Sequence, residues 1–232
     1  LPSEVKFNLD KLAISGTSGT LLASSLKGKP LGEAIPYDQA CNEHKILLES
    51  LTSGEDHLRT PYSSLAKALK LIDKYGTNIL LRHQSDWITG WFLKDWTYGE
   101  EGNNLKLGWD LKKESWPKSY LNTSWQKCLP QIIKSGKIIG QVNFDLAERF
   151  NLNKKLILIS GTTDSNASLI AAGLGKEDGL TVLGTTIVVK KIIDNPIKKQ
   201  GITNHRVNGD WICGGASNEG CGILSKFLYD LE

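Results

Sequence analysis

The chain has 232 residues, of which 40% are hydrophobic and 23% are charged, and its net charge is +3. This composition is typical of a globular protein and sufficient for one large or two small domains. From the sequence we do not expect a nucleic-acid-binding, membrane-spanning or secreted protein. Basic and acidic residues are interspersed, which gives no nucleic-acid-binding block; no apolar run approaches the ~20 residues of a membrane span; and no secretory signal opens the chain.

The N-terminal half predicts strands and helices in alternation. Short apolar runs predict strands at 11–14 and 20–26, and the Lys27-Gly-Lys-Pro30 stretch predicts a turn. Helical spacing predicts three helices, at residues 39–51, 63–75 and 79–96. Ser63 or Ser64 can cap the second helix, and Gly76 can end it. Trp87 and Trp91, four apart in the third, are interpreted as a packed helix face.

The C-terminal half continues the alternation. It predicts a loop at 97–104, helices at 119–128 and 141–150, a strand-containing connection at 130–139 and a strand at 155–160. Two strand-like runs follow at 179–191, and a strand at 210–213 leads into a helix. Alternating strands and helices predict an α/β fold. The adjacent Glu100 and Glu101 of the loop are interpreted as a solvated face and not as a catalytic carboxylate pair.

Asp164 is the first candidate for chemistry. It lies in the segment Gly-Thr-Thr-Asp-Ser-Asn-Ala-Ser at 161–168, between a predicted buried strand and a predicted helix. A carboxylate held at the beginning of a helix is fixed close to N–H groups and can accept a proton from a bound substrate. The alternative is that Asp164 only caps the helix. The residue pattern alone favours the cap.

Two glycine-containing segments can approach an anion. The Gly184 turn, followed by Thr185 and Thr186, combines accessible backbone N–H groups with two hydroxyls, although an ordinary hairpin explains it as well. The second segment is predicted to open a helix, whose N-terminus could bind nucleotide phosphates or merely carry an N-cap. Its residues are Gly214, Gly215, Ala216, Ser217 and Asn218.

Metal-binding and disulfide patterns do not emerge from the sequence. His44, His57, His83 and His205 are scattered and are interpreted as solvated or structural, so we predict no metal-ligand cluster. Four cysteines lie far apart, at positions 41, 128, 213 and 221, and are interpreted as unpaired thiols of a cytosolic protein.

Four motifs in order resemble the FGGY carbohydrate kinases. They are Ile-Ser-Gly-Thr-Ser-Gly-Thr at 14–20 and the segments at 161–168, 183–186 and 214–218. The resemblance is nearest to the short D-ribulose kinase, or xylulose kinase-like, branch of photosynthetic organisms, and it covers essentially the whole chain. It includes Asp86-Trp87 and the segment 104–108, which are expected to lie away from any chemistry.

The resemblance implies two actin-like, ribonuclease-H-like lobes, truncated at both ends. Residues 1–173 would form an incomplete sugar-binding lobe, and residues 174–232 would begin a nucleotide-binding lobe. Asp164 would be the catalytic base, ATP with Mg²⁺ the phosphoryl donor, and a ketopentose such as D-ribulose the acceptor. Sugar-binding residues would be Ser15, Thr17, Ser18, Asp38, Gln39 and Asp164. ATP-binding residues would be Gly184, Thr185, Thr186, Gly214, Gly215, Ala216, Ser217 and Asn218.

Some features depart from that family's pattern. Ser15 stands where close relatives usually have Asp, and Asp38-Gln39 where they have Asn-Asp, which leaves the identity of the sugar open. The chain contains no Met and begins with Leu1, and the family's N-terminal phosphate hairpin has no counterpart before residue 14.

We therefore expect an incomplete piece with little kinase activity alone, in the cytoplasm or, in a plant, the plastid stroma. The alternatives are a catalytically inactive actin-like fragment that binds sugar or a partner, and a hydrolase of the same superfamily. Sugar and nucleotide are the expected partners, nucleic acid and membrane are not, and the oligomeric state is open.

Overall fold

A computed structural model describes residues 2–52, 56–184, 186–217 and 220–223. The chain divides into two compact units, Leu1–Asp164 and Ser165–Glu232. The boundary between the units therefore lies nine residues before the predicted boundary at residue 173. The reason is that Leu169 packs in the core of the second unit. The assignment of sugar to one unit and nucleotide to the other stays a prediction.

The first unit combines short strands with helices of five to twelve residues. Its helices are α1 (Ser3–Phe7), α2 (Lys45–Leu51), α3 (Ser64–Tyr75), α4 (Gln84–Leu93) and α5 (Phe144–Phe150). Its strands are β1 (Lys11–Ala13), β2 (Leu21–Ser24), β3 (Leu80–His83), β4 (Tyr98–Glu100), β5 (Gln131–Ile133), β6 (Ile138–Gln141) and β7 (Ile157–Ile159). Short 3₁₀ helices span Asp56–Leu58, Asn103–Leu107, Lys118–Tyr120 and Gln126–Cys128.

The sheet that positions the candidate site has the order β1-β7-β6. Strands β1 and β7 are parallel, with Leu12 opposite Leu158, whereas β6 pairs with β7 antiparallel. Two further pairs lie outside this sheet, β2 with β3 antiparallel and β4 with β5 parallel. Because the carboxyl ends of parallel strands meet at one edge, the segments after Ala13 and Ile159 leave the sheet side by side.

Helix α3 confirms the predicted helix at 63–75. The Ser63 hydroxyl accepts a hydrogen bond from the backbone N–H of Ala66 at 3.1 Å, which caps the helix, and Gly76 ends it at φ +71°. Leu65 and Leu69 are buried in the largest hydrophobic core of this unit, together with Tyr120. The helix therefore forms from both local signals and core packing.

The predicted helix at 79–96 is wrong in its first part. Residues Leu80–His83 form strand β3, which pairs with β2, and helix α4 begins only at Gln84. The tryptophan prediction agrees better with the structure. The indole of Trp87 donates to the carbonyl of Gly28 at 3.0 Å, and the Trp91 ring lies 5.1 Å from that of Phe92. Both rings are used in packing.

Other boundaries differ where long-range pairing or a turn replaces the local pattern. The predicted loop at 97–104 contains β4, because this segment pairs with β5. The predicted helix at 119–128 is two separate 3₁₀ turns, and the helix predicted at 39–51 begins only at Lys45. The helix predicted at 141–150 begins at Phe144, after the side chain of Asn143 caps it.

The second unit begins in helix α6 (Asp164–Ala171) and continues as an antiparallel sheet with the order β10-β11-β9-β8. Its strands are β8 (Gly179–Leu183), β9 (Ile187–Ile193), β10 (Thr203–Val207) and β11 (Asp210–Ser217). Leu169, Val207 and Ile212 form its core. The hairpin of β8 and β9 confirms the two strand-like runs predicted at 179–191. Within the described ranges, no helix of either unit is both long and apolar enough to cross a bilayer.

Candidate functional site

Asp164 and the turn after β1 are held together by backbone contacts in the first unit. The backbone N–H of Asp164 donates to the carbonyl of Gly16 at 3.0 Å, and Gly16 and Thr163 form an isolated parallel bridge. This contact continues the pairing of β1 and β7 beyond the ends of both strands. The predicted catalytic residue therefore lies beside the segment that carries Ser15 and Thr17, two predicted sugar-binding residues.

Gly161 permits this close approach. A Cβ at this position would overlap with the carbonyl oxygen of Ile14, which belongs to the backbone and cannot move out of the way as a side chain can. The Ser135 hydroxyl donates to the carbonyl of Gly161 at 3.0 Å and holds the turn from the other side. The small residue that begins the 161–168 motif thus has a packing role in the turn before Asp164.

Lys106 reaches the same turn from a distant part of the chain. Its ammonium donates to the carbonyl of Ser18 at 3.1 Å. Burial lowers the pKa of Lys106, and the carboxylate of Asp164 acts in the opposite direction and raises it. A cation therefore lies close to both the predicted sugar-binding turn and the predicted base. Segment 104–108 was expected to lie away from the predicted site, whereas Lys106 contacts the predicted sugar-binding turn.

Asp38 and Gln39 lie on a second turn, in which the Gln39 N–H donates to the carbonyl of Pro36 at 3.2 Å. Both side chains are exposed. Lys67 of α3 connects this turn to the first one, because its ammonium donates to the carbonyls of Gly19 at 3.0 Å and Tyr37 at 3.1 Å. The structure thus brings the two predicted sugar-binding segments within reach of a single buried side chain.

A buried polar network lies behind the Gly16 turn. A Cβ on Gly16 would lie 3.1 Å from the Cβ of Ser85, whose hydroxyl accepts a hydrogen bond from the Asn103 side chain at 3.0 Å. The Glu100 carboxylate accepts the backbone N–H groups of Gly102 and Asn103 at 2.8 and 2.7 Å. The interpretation of Glu100 and Glu101 as a solvated face is wrong, since they are 3% and 2% exposed.

Asp86 is the second acid of this network. Its carboxylate accepts the backbone N–H of Glu100 at 3.0 Å and the side-chain amide of Asn104 at 3.1 Å. Burial raises the pKa of Asp86 to about 7 and that of Glu100 to about 8. Asp86, Glu100 and Ser160 also line a small cavity of about 10 Å³, which is the size of a single water site.

In the second unit the Gly184 turn is an ordinary tight connection between β8 and β9. The Gly184 N–H donates to the carbonyl of Thr186 at 3.0 Å, and Thr186 is exposed. This N–H is therefore occupied within the turn. Thr185 lies outside the described residues, as does Asn218 of the other predicted ATP-binding segment.

The prediction that Gly214 opens a helix is wrong. Gly214, Gly215, Ala216 and Ser217 belong to strand β11 and pair with β9. A Cβ on Gly214 would lie 2.7 Å from the carbonyl oxygen of Val189, so the glycine serves the close packing of two strands. The opposite strand carries Lys190, a buried lysine that donates to the side-chain oxygen of Asn166.

No protein-family model matches the chain. Among curated proteins, 133 residues of the chain are 26% identical to the "Putative sugar kinase YoaC" of Bacillus subtilis, over 55% of this chain and 27% of that protein. Among solved structures, the xylulose kinase from Rhodospirillum rubrum matches 93% of the chain with a TM-score of 0.80 and 18% identity. The fold is that of the sugar kinases. The predicted actin-like ATPase fold is confirmed.

Other structures with the sugar-kinase fold match equally widely. Plasmodium falciparum glycerol kinase with ADP matches 96% of the chain, with a TM-score of 0.78 and 16% identity. A ligand-bound xylulose kinase from Lactobacillus acidophilus matches 97%, with a TM-score of 0.76 and 16% identity. The chain spans 47%, 50% and 49% of the Rhodospirillum, Plasmodium and Lactobacillus enzymes. It therefore covers about half of a sugar-kinase fold.

Lys67 and Lys106 are the residues of this site that the sequence analysis missed. A lysine in the Leu-Ala-Lys-Ala-Leu stretch of a helix with apolar spacing is a usable signal, because a lysine buried on such a face needs acceptors for its N–H groups. Lys106 gives no comparable signal. Among the residues that the structure describes, no group of three or more His, Cys, Asp or Glu side chains could hold a metal ion.

We expect the free energy of unfolding of the first unit to fall as the pH rises from 6.5 to 8. Folded Asp86 and Glu100 keep their protons up to about pH 7 and pH 8, whereas their ordinary pKa values are 3.8 and 4.5. In this pH range the folded state binds more protons than the unfolded state. Each acid therefore lowers the free energy of unfolding by at most about 1.4 kcal/mol per pH unit. Burial lowers the pKa of His83 to about 3, so its titration changes the free energy of unfolding only below pH 6.5. Burial lowers the pKa of Lys67 to about 8, so its titration does so only above pH 8.

Urea unfolding at pH 6.5 and pH 8 measures this dependence. Glu100→Gln keeps an oxygen acceptor but cannot ionise, so it should flatten the dependence. Glu33→Gln, a change at an exposed acid, is the matched control and should leave it unchanged. Wild-type stability that rises with pH across this window would contradict the prediction.

Proposed function

We propose that this chain carries the sugar-binding turns and the catalytic base of an ATP-dependent sugar kinase. The observation that carries the proposal is the backbone bond between Asp164 and Gly16, which holds the acid beside a turn rich in hydroxyl groups. The sugar-kinase fold and the sequence similarity to a curated sugar kinase support it. Nothing in the described residues favours the inactive fragment or the hydrolase.

In the proposed reaction, Asp164 accepts the proton of one sugar hydroxyl as that oxygen attacks the γ-phosphorus of ATP. The bond between the γ-phosphorus and its bridging oxygen breaks, and ADP leaves with that oxygen. Lys106, close to Asp164 and to the carbonyl of Ser18, adds positive charge where negative charge develops. Mg²⁺ would arrive with the nucleotide, whose phosphates supply ligands that it prefers.

The proposed substrate is a ketopentose such as D-ribulose, with D-xylulose as the runner-up. Asp38 provides a carboxylate that only accepts hydrogen bonds and Gln39 an amide that both donates and accepts, a combination that suits adjacent hydroxyls. The proposal places nucleotide binding in the second unit, where the Gly184 turn is the remaining candidate. The β11 glycines support it less, because they lie within a sheet.

We expect Asp38→Asn to raise the KM for the preferred ketopentose about tenfold, the effect of losing one hydrogen bond worth ~1.4 kcal/mol. The KM for ATP should change little. A mass-spectrometric screen of ketopentoses, hexoses and glycerol with ATP and the full-length protein identifies the preferred sugar, and steady-state kinetics then compare the variants.

Asp73→Asn is the matched control for this experiment, since Asp73 is an acid of α3 whose side chain is 75% exposed. It should leave both KM values unchanged. Phosphorylation of glycerol or a hexose, with no turnover of any ketopentose, would reject the pentulose assignment and retain the kinase. No phosphoryl transfer to any sugar would reject the proposed function.

A further inference from the structure

Lys67 is a fully buried lysine whose three donors all bind backbone carbonyls. Its ammonium donates to Gly19 at 3.0 Å, to Tyr37 at 3.1 Å and to Tyr62 at 2.8 Å. The side chain belongs to α3, and the residue is 0% exposed. An ammonium group has three N–H donors, so the hydrogen-bonding capacity of this group is used completely.

Placing a charge in this position opposes folding. Burial, together with the neighbouring charge of Lys106, lowers the pKa of Lys67 to about 8, whereas Cys41 and Asp38 act in the opposite direction. A buried charge that is compensated only by neutral carbonyls gives little net stability compared with an apolar side chain of similar size. Stability therefore does not explain why a lysine occupies this site.

Two of the three carbonyls belong to segments that are distant from Lys67 in sequence, whereas Tyr62 lies only five residues before it. Gly19 ends the turn that carries Ser15, Thr17 and Ser18, and it lies 48 residues from Lys67. Tyr37 lies 30 residues away and precedes Asp38 directly. Bonds between a charged donor and a carbonyl are shorter and stronger than neutral ones. One ammonium thus sets the distance between the two turns that carry the proposed sugar contacts.

We propose that Lys67 is a positioning residue that holds the Ser15–Gly19 turn and the Tyr37–Gln39 turn at the spacing needed to contact one sugar molecule together. The inference rests on the proposed function for its kinetic consequence. Its structural part, the linkage of two turns through one ammonium, is measurable without any sugar.

The structural part is tested by hydrogen exchange in the full-length protein without ligands. Lys67→Met retains an unbranched side chain but removes the three donors. It should speed amide exchange at residues 16–20 and 37–39 by about tenfold or more, while exchange in the β8–β9 hairpin stays unchanged. Lys70→Met is the matched control, because Lys70 lies one turn further along α3 and pairs at the surface with Glu43. It should leave both turns unchanged.

The kinetic part separates positioning from general damage. Lys67→Met should raise the KM for the sugar about tenfold or more and leave the KM for ATP within about twofold. Lys67→Arg keeps the positive charge, but its planar donors cannot point at three carbonyls around one atom. It leaves fewer of the three carbonyls without a donor than Lys67→Met does and should still raise the KM for the sugar, so it provides the test if Lys67→Met does not fold.

Exchange that is unchanged in the two turns, or that accelerates equally throughout the first unit, overturns the inference. Equal increases of both KM values overturn it as well. If the wild-type protein phosphorylates no sugar, the proposed function fails, and the exchange result alone decides whether Lys67 holds the two turns.

Discussion

Asp164→Ala in the full-length protein should reduce sugar phosphorylation by roughly 10²–10⁴-fold, the usual contribution of a general base. The KM for ATP should change little, because the change removes a group that acts on the sugar hydroxyl. Stability should fall by only about 1 kcal/mol, the contribution of an acid in the first turn of a helix. The backbone N–H of Asp164 keeps its bond to Gly16 in the variant, so the turn should be preserved.

Asp145→Ala provides the matched control for this measurement. Asp145 is an exposed acid in the first turn of α5. Its removal also takes a carboxylate away from a helix N-terminus, but it leaves the candidate site unchanged. Initial rates with saturating ATP and sugar compare the two variants, and urea unfolding checks that both are folded. An Asp164→Ala enzyme that is folded and turns over normally would remove Asp164 from the role of base.

Gly161→Ala should destabilise the first unit by about 3 kcal/mol or more, at the upper end of overpacking effects. The added methyl group would overlap with the carbonyl of Ile14, and relief requires that β1 and the turn after β7 separate. That separation would also break the bond between Asp164 and Gly16. We therefore expect activity to fall even at temperatures where the variant remains folded.

Gly179→Ala is the matched control, since the nearest atom to a Cβ at this strand position is the Lys190 carbonyl oxygen at 3.8 Å. This contact is ordinary, and stability should change by less than about 1 kcal/mol. Urea unfolding of both variants measures the difference. Equal stability of the two proteins would mean that the turn relaxes around the methyl group and that Gly161 is not required there.

Elements with complete local signals were predicted well. Helix α3 has apolar spacing, a serine cap and a terminal glycine, and each of these acts within a few residues. The β8–β9 hairpin is likewise predicted by two runs that contain β-branched residues on either side of a short turn. The strand, turn and helix around Asp164 follow the same rule.

Elements that depend on distant partners were predicted poorly. Residues Leu80–His83 satisfy helical spacing but form β3, because β2 offers a partner strand in the core. Gly214 and Gly215 were expected at a helix N-terminus and lie in β11, where β9 leaves no space for a side chain at Gly214. Glu100 was expected in solvent and is buried, because the N–H groups of Gly102 and Asn103 supply hydrogen-bond partners for its carboxyl oxygens.

The sequence by itself determined the α/β class, the fold that the motifs at 14–20 and 161–168 resemble, and the candidate base Asp164. These depend on spacing and on motif order, which are local properties of the chain. Only the tertiary structure brought Gly16 to Asp164 and placed Lys67 and Lys106 against the proposed sugar-binding turns. The physical reason is that a lysine is expected to be exposed to solvent when only the sequence is known. Three-dimensional packing alone shows which carbonyls can accept hydrogen bonds from it after burial.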